Sequence, residues 1–505
     1  MPEYADSYPR GIGHLAGDIP ALRAWARASD IDKSAFTYRD GMIFLGASAD
    51  GTLLGLNDNR HCLTVAGSRA GKGVSVIVPN LCLYPGSALV IDPKGENALL
   101  TAARRGAGSP YCEGLGQAVY ILDPFGTVPP HHPKASFNPL SVFNLCSEQT
   151  CELAIDDAAL IADALVTPGG ERESHWDESA RSVLEMLILH VLTTESPEFC
   201  TLPRVRQRLM SGDFLDRMQG NDAFEGLIAG AAAALLALGK EERGSILSTA
   251  RRNTKFLESP AMQRVLENSD FDLGDLKRRP MTLYLCLPAS RLHTHSRWLR
   301  LMIGLALALM EREPARPALP VLFLMDEFAA LGKMEVIETA AGLMAGYGVK
   351  LWPILQDLTQ LKRHYRESWE TFLGNAGLHQ FFGNTDLTTL EHVSKRLGKT
   401  RIQSVTESEN ERGGQGGQGI SIKADTAPLL NPDEVEYFFA RDRQKQIVLI
   451  PGQMPWALRR LSYEDPFFHG KRDWSDRLGR PAPPTLEQLR ARPDPPKHRG
   501  WFGRG

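Results

Sequence analysis

The chain has 505 residues, of which 43% are hydrophobic and 23% charged, and its formal net charge is -3. That size and balance belong to a large protein with a substantial core and exclude a disordered or fibrous chain. The near-neutral charge also excludes a whole-molecule basic field, so any nucleic-acid contact must come from a local patch or an assembled channel.

Met1–Gly13 carries neither a basic start nor an apolar stretch, so no secretory signal is expected. Residues 1–60 read as an N-terminal extension with leading strands. His61–Ala66 is a buried-strand pattern, followed by Gly67-Ser68-Arg69-Ala70-Gly71-Lys72-Gly73-Val74 and an apolar helix start. Small residues in such a turn let successive backbone N–H groups converge on phosphate oxygens, and the helix start adds its positive dipole end. Lys72 then reaches the outer phosphates as a point charge. Two positions depart from the usual pattern. Ala66 stands six before the lysine, with Gly67 one step on, and Gly73 follows it where a Mg2+-binding serine or threonine is usual. Ser75 lies too far along to replace that hydroxyl, so metal must be held through water and an acidic residue elsewhere. Taken alone, the segment also reads as an ordinary glycine turn after a strand.

Further apolar strands are expected at Ser87–Asp92, Ala118–Asp123, Thr282–Leu287, Val321–Asp326, Lys350–Leu355, Leu378–Phe382 and Gln446–Ile450. Their alternation with helical patterns predicts an α/β fold with a mainly parallel sheet. Between Asp123 and Met281 the strand signals stop. About Ser147 to Leu276 reads as helix after helix, including Glu178–Leu192 and the alanine-rich Phe224–Leu238. Because strands of the same type resume afterwards, an all-α insertion within the core is expected rather than a separate domain.

Val321–Asp326 ends in a second carboxylate, Glu327. Asp326 at the strand end suits the water shell of Mg2+, and Glu327 suits polarising an attacking water near a γ-phosphate. Two solvated acids capping a strand would look the same in isolation; the upstream phosphate loop favours the functional reading. The next strand ends at Gln356, where ATPases with an extra strand between the two Walker strands place a γ-phosphate sensor. Arg412–Gly419 reads as a flexible glycine loop, and the Pro/Arg-rich tail from about Arg480 as disordered. The divisions are then 1–60, 61–145 and 278–470 for the nucleotide-binding core and its leader, 146–277 for the insertion, and 471–505 for the tail.

The seven cysteines, Cys62, Cys82, Cys112, Cys146, Cys151, Cys200 and Cys286, form no CxxC pair and read as reduced thiols. His131, His132, His293 and His295 lack partners at metal-ligand spacing. No run approaches the ~20 apolar residues that span a bilayer; Ala229–Leu238 and Leu301–Met310 are too short and are expected as buried helix segments.

With these elements placed, the sequence resembles the type IV secretion coupling proteins of the TraG/TraD group over about Gly41 to Phe468. The stretches that carry the resemblance are AGSRAGKGVSVIVPNL (Ala66–Leu81), LVIDPKGEN (Leu89–Asn97), ILDPFG (Ile121–Gly126), FNPL (Phe137–Leu140), HWDESAR (His175–Arg181), LMDEFAALGKM (Leu324–Met334), AGYGVKLWPILQDLTQL (Ala345–Leu361) and GNTDLTTLEHVSKRLGKT (Gly383–Thr400). GKG in place of GK[ST] recurs in that group. The resemblance implies a RecA-like P-loop NTPase core, ATP and Mg2+ as ligands, and a hexameric, DNA-stimulated ATPase. It further implies partners: DNA, a relaxase or effector protein cargo, and components of a type IV secretion channel. The all-helical insertion would recognise cargo. Asp92 and Lys94 match a family motif near the nucleotide, with their role left open.

Two features depart from better-known members. Nothing at the start matches their transmembrane pair, so a cytoplasmic chain is expected, either a soluble branch or one that reaches the inner membrane through partners. A trans-acting arginine is unmatched at Ala345-Gly-Tyr-Gly, leaving Arg251, Arg252, Arg297 and Arg300 as candidates. Arg204, Arg206, Arg208 and Lys277-Arg278-Arg279 read either as a DNA channel lining or as solvated helix faces, the second being the commoner case. A soluble DNA translocase or helicase unconnected with secretion, and a nucleotide-dependent cargo adaptor with little hydrolysis, are the competing functional readings.

Overall fold

A computed structural model describes residues 24–143, 153–167, 174–410, 417–476 and 483–491. Fifteen strands occur among them: β1 (Ile43–Ala47), β2 (Leu53–Leu56), β3 (His61–Ala66), β4 (Ala88–Asp92), β5 (Gly108–Ser109), β6 (Cys112–Glu113), β7 (Ala118–Leu122), β8 (Met281–Cys286), β9 (Val321–Met325), β10 (Val349–Leu355), β11 (Ala376–Phe382), β12 (Lys399–Asn410), β13 (Gly417–Pro428), β14 (Lys445–Leu449) and β15 (Trp456–Arg459). Eleven build one sheet in the order β2-β1-β15-β14-β11-β3-β10-β9-β4-β8-β7. The run from β11 to β7 is parallel throughout. β14, β15, β1 and β2 extend it antiparallel beyond β11.

All eight strands expected from the sequence are present, with ends shifted by no more than two residues. Their apolar residues alternate between two cores, as the period of two requires. Leu63 and Val65 of β3 face one core with Val321, Phe323 and Met325 of β9. Cys62, Ala66, Leu322 and Leu324 face the other.

Between β7 and β8 the described residues form only helices and turns, among them Ala154–Leu165, Ser174–Thr194, Leu202–Met210, Leu227–Ala237 and Lys240–Thr254. Their core is continuous with one face of the sheet through helix Ala289–Arg312. Every residue from Trp298 to Leu307 in that helix is buried, because the sheet covers one side and the helices of the insertion the other. Arg312 anchors the junction by donating to Asp157 at 2.7 Å. Leu301–Met310 is thus the buried segment expected of it. Ala229–Leu238 is not: in helix Leu227–Ala237 only Ile228, Ala232 and Leu235 are buried. A run of alanines satisfies helix propensity without demanding burial, so uniform apolarity misreads a one-sided surface helix.

Two further expectations need correction. Residues 411–416 of the glycine-rich segment lie outside the described residues, but Gly417–Gly419 begin β13. That strand pairs with β12 from Lys399↔Pro428 to Asn410↔Gly417. The hairpin is roughly 40 Å long at the usual rise per residue. The proline-rich tail, expected to be disordered, contains helix Leu486–Arg490, whose N-cap Thr485 accepts from Gln488. Leu486 N donates to Pro110 O at 2.9 Å, which docks this turn on the β5–β6 hairpin. Residues 477–482 and 492–505 of the tail lie outside the described residues, as do Cys146 and Cys151; Cys62, Cys82, Cys112 and Cys286 are buried free thiols.

Candidate active site

Parallel strands deliver their C-terminal ends to one edge of the sheet, and in open α/β sheets that edge is where ligands bind. β10 lies between β3 and β9, so the loops after all three are neighbours.

The turn after β3 is set by a close approach. Gly67 N donates to Phe382 O at 3.2 Å. A Cβ at Gly67 would stand 1.8 Å from Gly383 O, so only glycine fits there. This explains the displaced pattern: Ala66 is the last, fully buried strand residue, and the glycine is needed one position later. Arg69 and Gly71 take left-handed φ values of 56° and 89°, curling the backbone so that its N–H groups turn inward. Ser68, Arg69 and Val74 are exposed along the rim, while Ala70 is buried. A Cβ at Gly73 would meet nothing within 4 Å, so packing does not force the absence of a side chain next to Lys72. A single π-helical turn, Gly73–Ile77, leads into helix Val78–Leu83; such turns concentrate at functional positions.

Lys72 meets the acidic strand end. Its Nζ lies 3.0 Å from Asp326 Oδ1 and 2.6 Å from Glu327 Oε1. Gln356 Nε2 donates to Glu327 Oε2 at 3.1 Å. Asn384 Nδ2 in turn donates to the Gln356 carbonyl at 3.2 Å. Glu327 has φ 54° and ψ 43°, a left-handed conformation that costs a non-glycine residue about 1–3 kcal/mol and is held only by its surroundings. Its N–H donates to Asp326 Oδ1 at 3.0 Å.

Burial pushes the Asp326 carboxyl above the ordinary range, against the pull of Lys72. Burial likewise disfavours the Lys72 ammonium, but the Asp326 and Glu327 carboxylates more than offset it and hold its pKa above normal. Asp92, in register beside Asp326 on β4, is 1% exposed. Its pKa is raised to about 7 by burial, while the Ala98 and Asn97 N–H groups oppose the rise. Asp92 Oδ2 accepts from Ala98 N at 2.8 Å and caps helix Glu96–Arg105. Lys94 is exposed.

The residues fit a nucleotide and a divalent cation. A lysine satisfied only by two carboxylates, beside a turn without obstructing Cβ atoms, is a site in which phosphate oxygens can replace those carboxylates. Asp326 is an oxygen ligand of the kind that holds the water shell of Mg2+.

Other expected residues are occupied elsewhere. Arg300 donates to Leu331 O at 2.9 Å and Lys333 O at 2.6 Å, and Arg297 to Asn253 and Thr167 at 2.8 Å. Arg251 reaches Leu209 O at 3.4 Å. Arg204 and Arg208 pair with Glu195, Arg206 with Glu258, and Arg278 and Arg279 with Asp275. Lys277 is buried and donates to Met310 O at 2.9 Å. Each of these cations has a partner within the chain, while Arg278 and Arg279 remain 41% and 50% exposed. Two site neighbours were missed in the sequence: Asn384, foreshadowed only by the Gly383-Asn384 step, and Arg460, which carries no local signal. Arg460 Nη1 donates to Ala70 O at 2.6 Å, directly behind the phosphate loop.

The fold and the strand-edge geometry define a RecA-like P-loop protein. Comparison with known proteins narrows this: residues 24–481 match the model of the type IV secretory system conjugative DNA transfer family, and the chain belongs to that family. It is 28% identical over 434 residues to protein VirD4 of Rhizobium rhizogenes, covering 82% of this chain and 60% of that protein. It is 28% identical over 470 residues to the conjugal transfer protein TraG of Escherichia coli, covering 85% and 70% respectively. The chain therefore spans about 60% of the length of its VirD4 relatives. Among solved structures, the plasmid coupling protein TrwB in complex with ADP and Mg2+ superposes with a TM-score of 0.63 at 14% identity, covering 90% of this chain and 97% of that one. The unbound TrwB structure gives the same score. Among the described residues no helix is long and apolar enough to cross a membrane.

Proposed function

We propose that this chain is an ATPase that couples ATP hydrolysis to delivery of DNA, or of a relaxase–DNA or protein cargo, to a type IV secretion or conjugation channel. The observation that carries this reading is the linked set in which Lys72 pairs with Asp326 and Glu327, and Gln356 donates to Glu327. In the proposed cycle the backbone of Gly67–Val74 cradles the phosphates and Lys72 leaves its carboxylate partners for the outer ones. Bound Mg2+, held through water by Asp326, would supply charge neutralisation on the phosphates. Glu327, released from Lys72, orients and polarises the attacking water, and Gln356 senses whether a γ-phosphate is present.

The divisions at 61–145 and 278–470 for the motor and 146–277 for cargo recognition belong to the same proposal, supported by the helices and turns that the described residues form between β7 and β8. So do assembly as a hexamer, a cytoplasmic location, and contact with the membrane through partners. The internal anchoring of Arg297 and Arg300 favours one second reading, a nucleotide-dependent adaptor with little hydrolysis. ATP turnover measured with and without DNA across protein concentrations separates them. A ring motor gives specific activity rising steeply with concentration. Turnover that stays negligible at every concentration, with nucleotide bound, sinks the motor and leaves the adaptor.

A further inference from the structure

Arg460 follows β15 and runs beneath the phosphate loop, where it is 5% exposed. Nη1 donates to Ala70 O at 2.6 Å and to Ser75 Oγ at 3.1 Å, Nη2 to Arg441 O at 3.0 Å, and Nε to Lys445 O at 3.3 Å. The guanidinium also sits over the Phe382 ring, 4.2 Å from its centroid. Each of these partners is a neutral dipole or a π face. Among the described residues Arg460 takes part in no ion pair, and burial draws its pKa down to about 10 with no carboxylate opposing the shift. A buried cation left with dipoles alone is costly unless an anion completes the site. The guanidinium lies against the phosphate loop itself: a Cβ on Gly71 would stand 3.4 Å from Nη1.

We propose that Arg460 is a positioning residue of the phosphate loop whose countercharge is the polyphosphate of the bound nucleotide. The inference rests on the reading of this loop as a nucleotide site. By donating to both, Arg460 draws the Ala70 carbonyl and the Ser75 hydroxyl toward itself and fixes the backbone of the loop at that point. Its charge favours a triphosphate over a diphosphate through the intervening turn. The same guanidinium holds the Arg441 and Lys445 carbonyls, and Tyr463 N donates to Val74 O at 2.9 Å. The segment from Arg441 to Tyr463 is therefore braced against the loop at several points, and occupancy of the loop changes the electrostatic field in which that brace sits.

The test is a titration of ATP and ADP, with Mg2+, against the wild-type chain, Arg460→Met and Arg460→Lys. Arg460→Met is expected to lose tenfold or more in ATP affinity and less in ADP affinity, narrowing the preference between them. Arg460→Lys is expected to recover most of the ATP affinity near pH 7 and to lose it again as pH rises toward 9. A lysine buried there titrates in that window, while the wild-type profile stays flat. A strut without an electrostatic role would weaken ATP and ADP alike and give Arg460→Lys a flat pH profile; either result overturns the proposal. If Arg460→Met does not fold, the Arg460→Lys pH profile decides alone. Failure of the wild-type chain to bind ATP would instead overturn the nucleotide reading itself.

Discussion

The Lys72 ammonium lies 2.6 Å from the Glu327 carboxylate across a sequence separation of 255 residues. The contact depends on the insertion of β10 between β3 and β9, which sets the two loop ends opposite one another with Gln356 alongside. The pair neutralises the lysine and occupies one oxygen of an acid whose side chain is still 30% exposed.

Lys72→Ala should abolish ATP binding and turnover. Glu327→Gln should retain binding and lower turnover by roughly 10²–10⁴-fold, the usual worth of a positioned general base. Single-turnover hydrolysis and nucleotide titration separate the two effects. Wild-type turnover in Glu327→Gln would remove that residue from the chemistry.

Gly67→Ala tests the close approach to Gly383. With a Cβ 1.8 Å from the Gly383 carbonyl oxygen, the loop or the chain after β11 must move. Overpacking of this kind costs about 1–3 kcal/mol. A urea midpoint equal to that of the wild type would mean the two loops separate freely.

A chain of buried hydrogen bonds crosses the sheet beneath the site. Trp352 Nε1 donates to Thr64 Oγ1 at 2.9 Å, Thr64 to Gln380 Oε1 at 2.8 Å, Gln380 Nε2 to Gln446 Oε1 at 3.1 Å, and Gln446 Nε2 to Leu45 O. Gln380→Leu strands Thr64 and Gln446 together and should destabilise by about 1–3 kcal/mol for each unpaired group. Denaturant unfolding gives the value; a loss under ~0.5 kcal/mol would show that the chain repairs itself.

Acid should destabilise the fold from about pH 6.5 downward. Burial lowers His61, His379 and His392 to about 4. His61 Nδ1 accepts from Leu351 N at 3.1 Å, which requires the unprotonated nitrogen. The unfolded chain protonates these rings near 6.5 and the folded chain only near 4. Their contribution is complete above 6.5 and is lost as pH falls through that window. Asp92, raised to about 7, acts in the opposite sense: its contribution is present below about 4 and fades as pH rises through 7. Three histidines outweigh one aspartate, so the urea midpoint should fall between pH 6.5 and 4.5, and His379→Gln should flatten the slope. An invariant midpoint contradicts the assignment.

Strand identity is legible in the sequence, because strands buried on both faces are written as short apolar runs. A glycine-rich turn with a lysine and a strand ending in two acids are local patterns as well. β1, β2 and β15 were less visible: they are short, and LLGL and WALR resemble many other segments. Of the segment expected as a glycine loop, Gly417–Gly419 instead pair with β12 from within β13, since the backbone ladder does not depend on a side chain.

By itself the sequence determined that short apolar strands would build a mainly parallel sheet and that Lys72, Asp326, Glu327 and Gln356 would follow or end its strands. Tertiary structure alone decided that Gly67 must lie against Gly383, that Arg297 and Arg300 spend their donors inside the chain, and that Arg460 reaches under the loop from nearly 400 positions away, donating to Ala70 across a separation of 390. The physical reason is one of range. Propensity and hydrophobic period act over a few residues, while close packing and the need to satisfy every buried polar group act between surfaces that only the folded chain brings together.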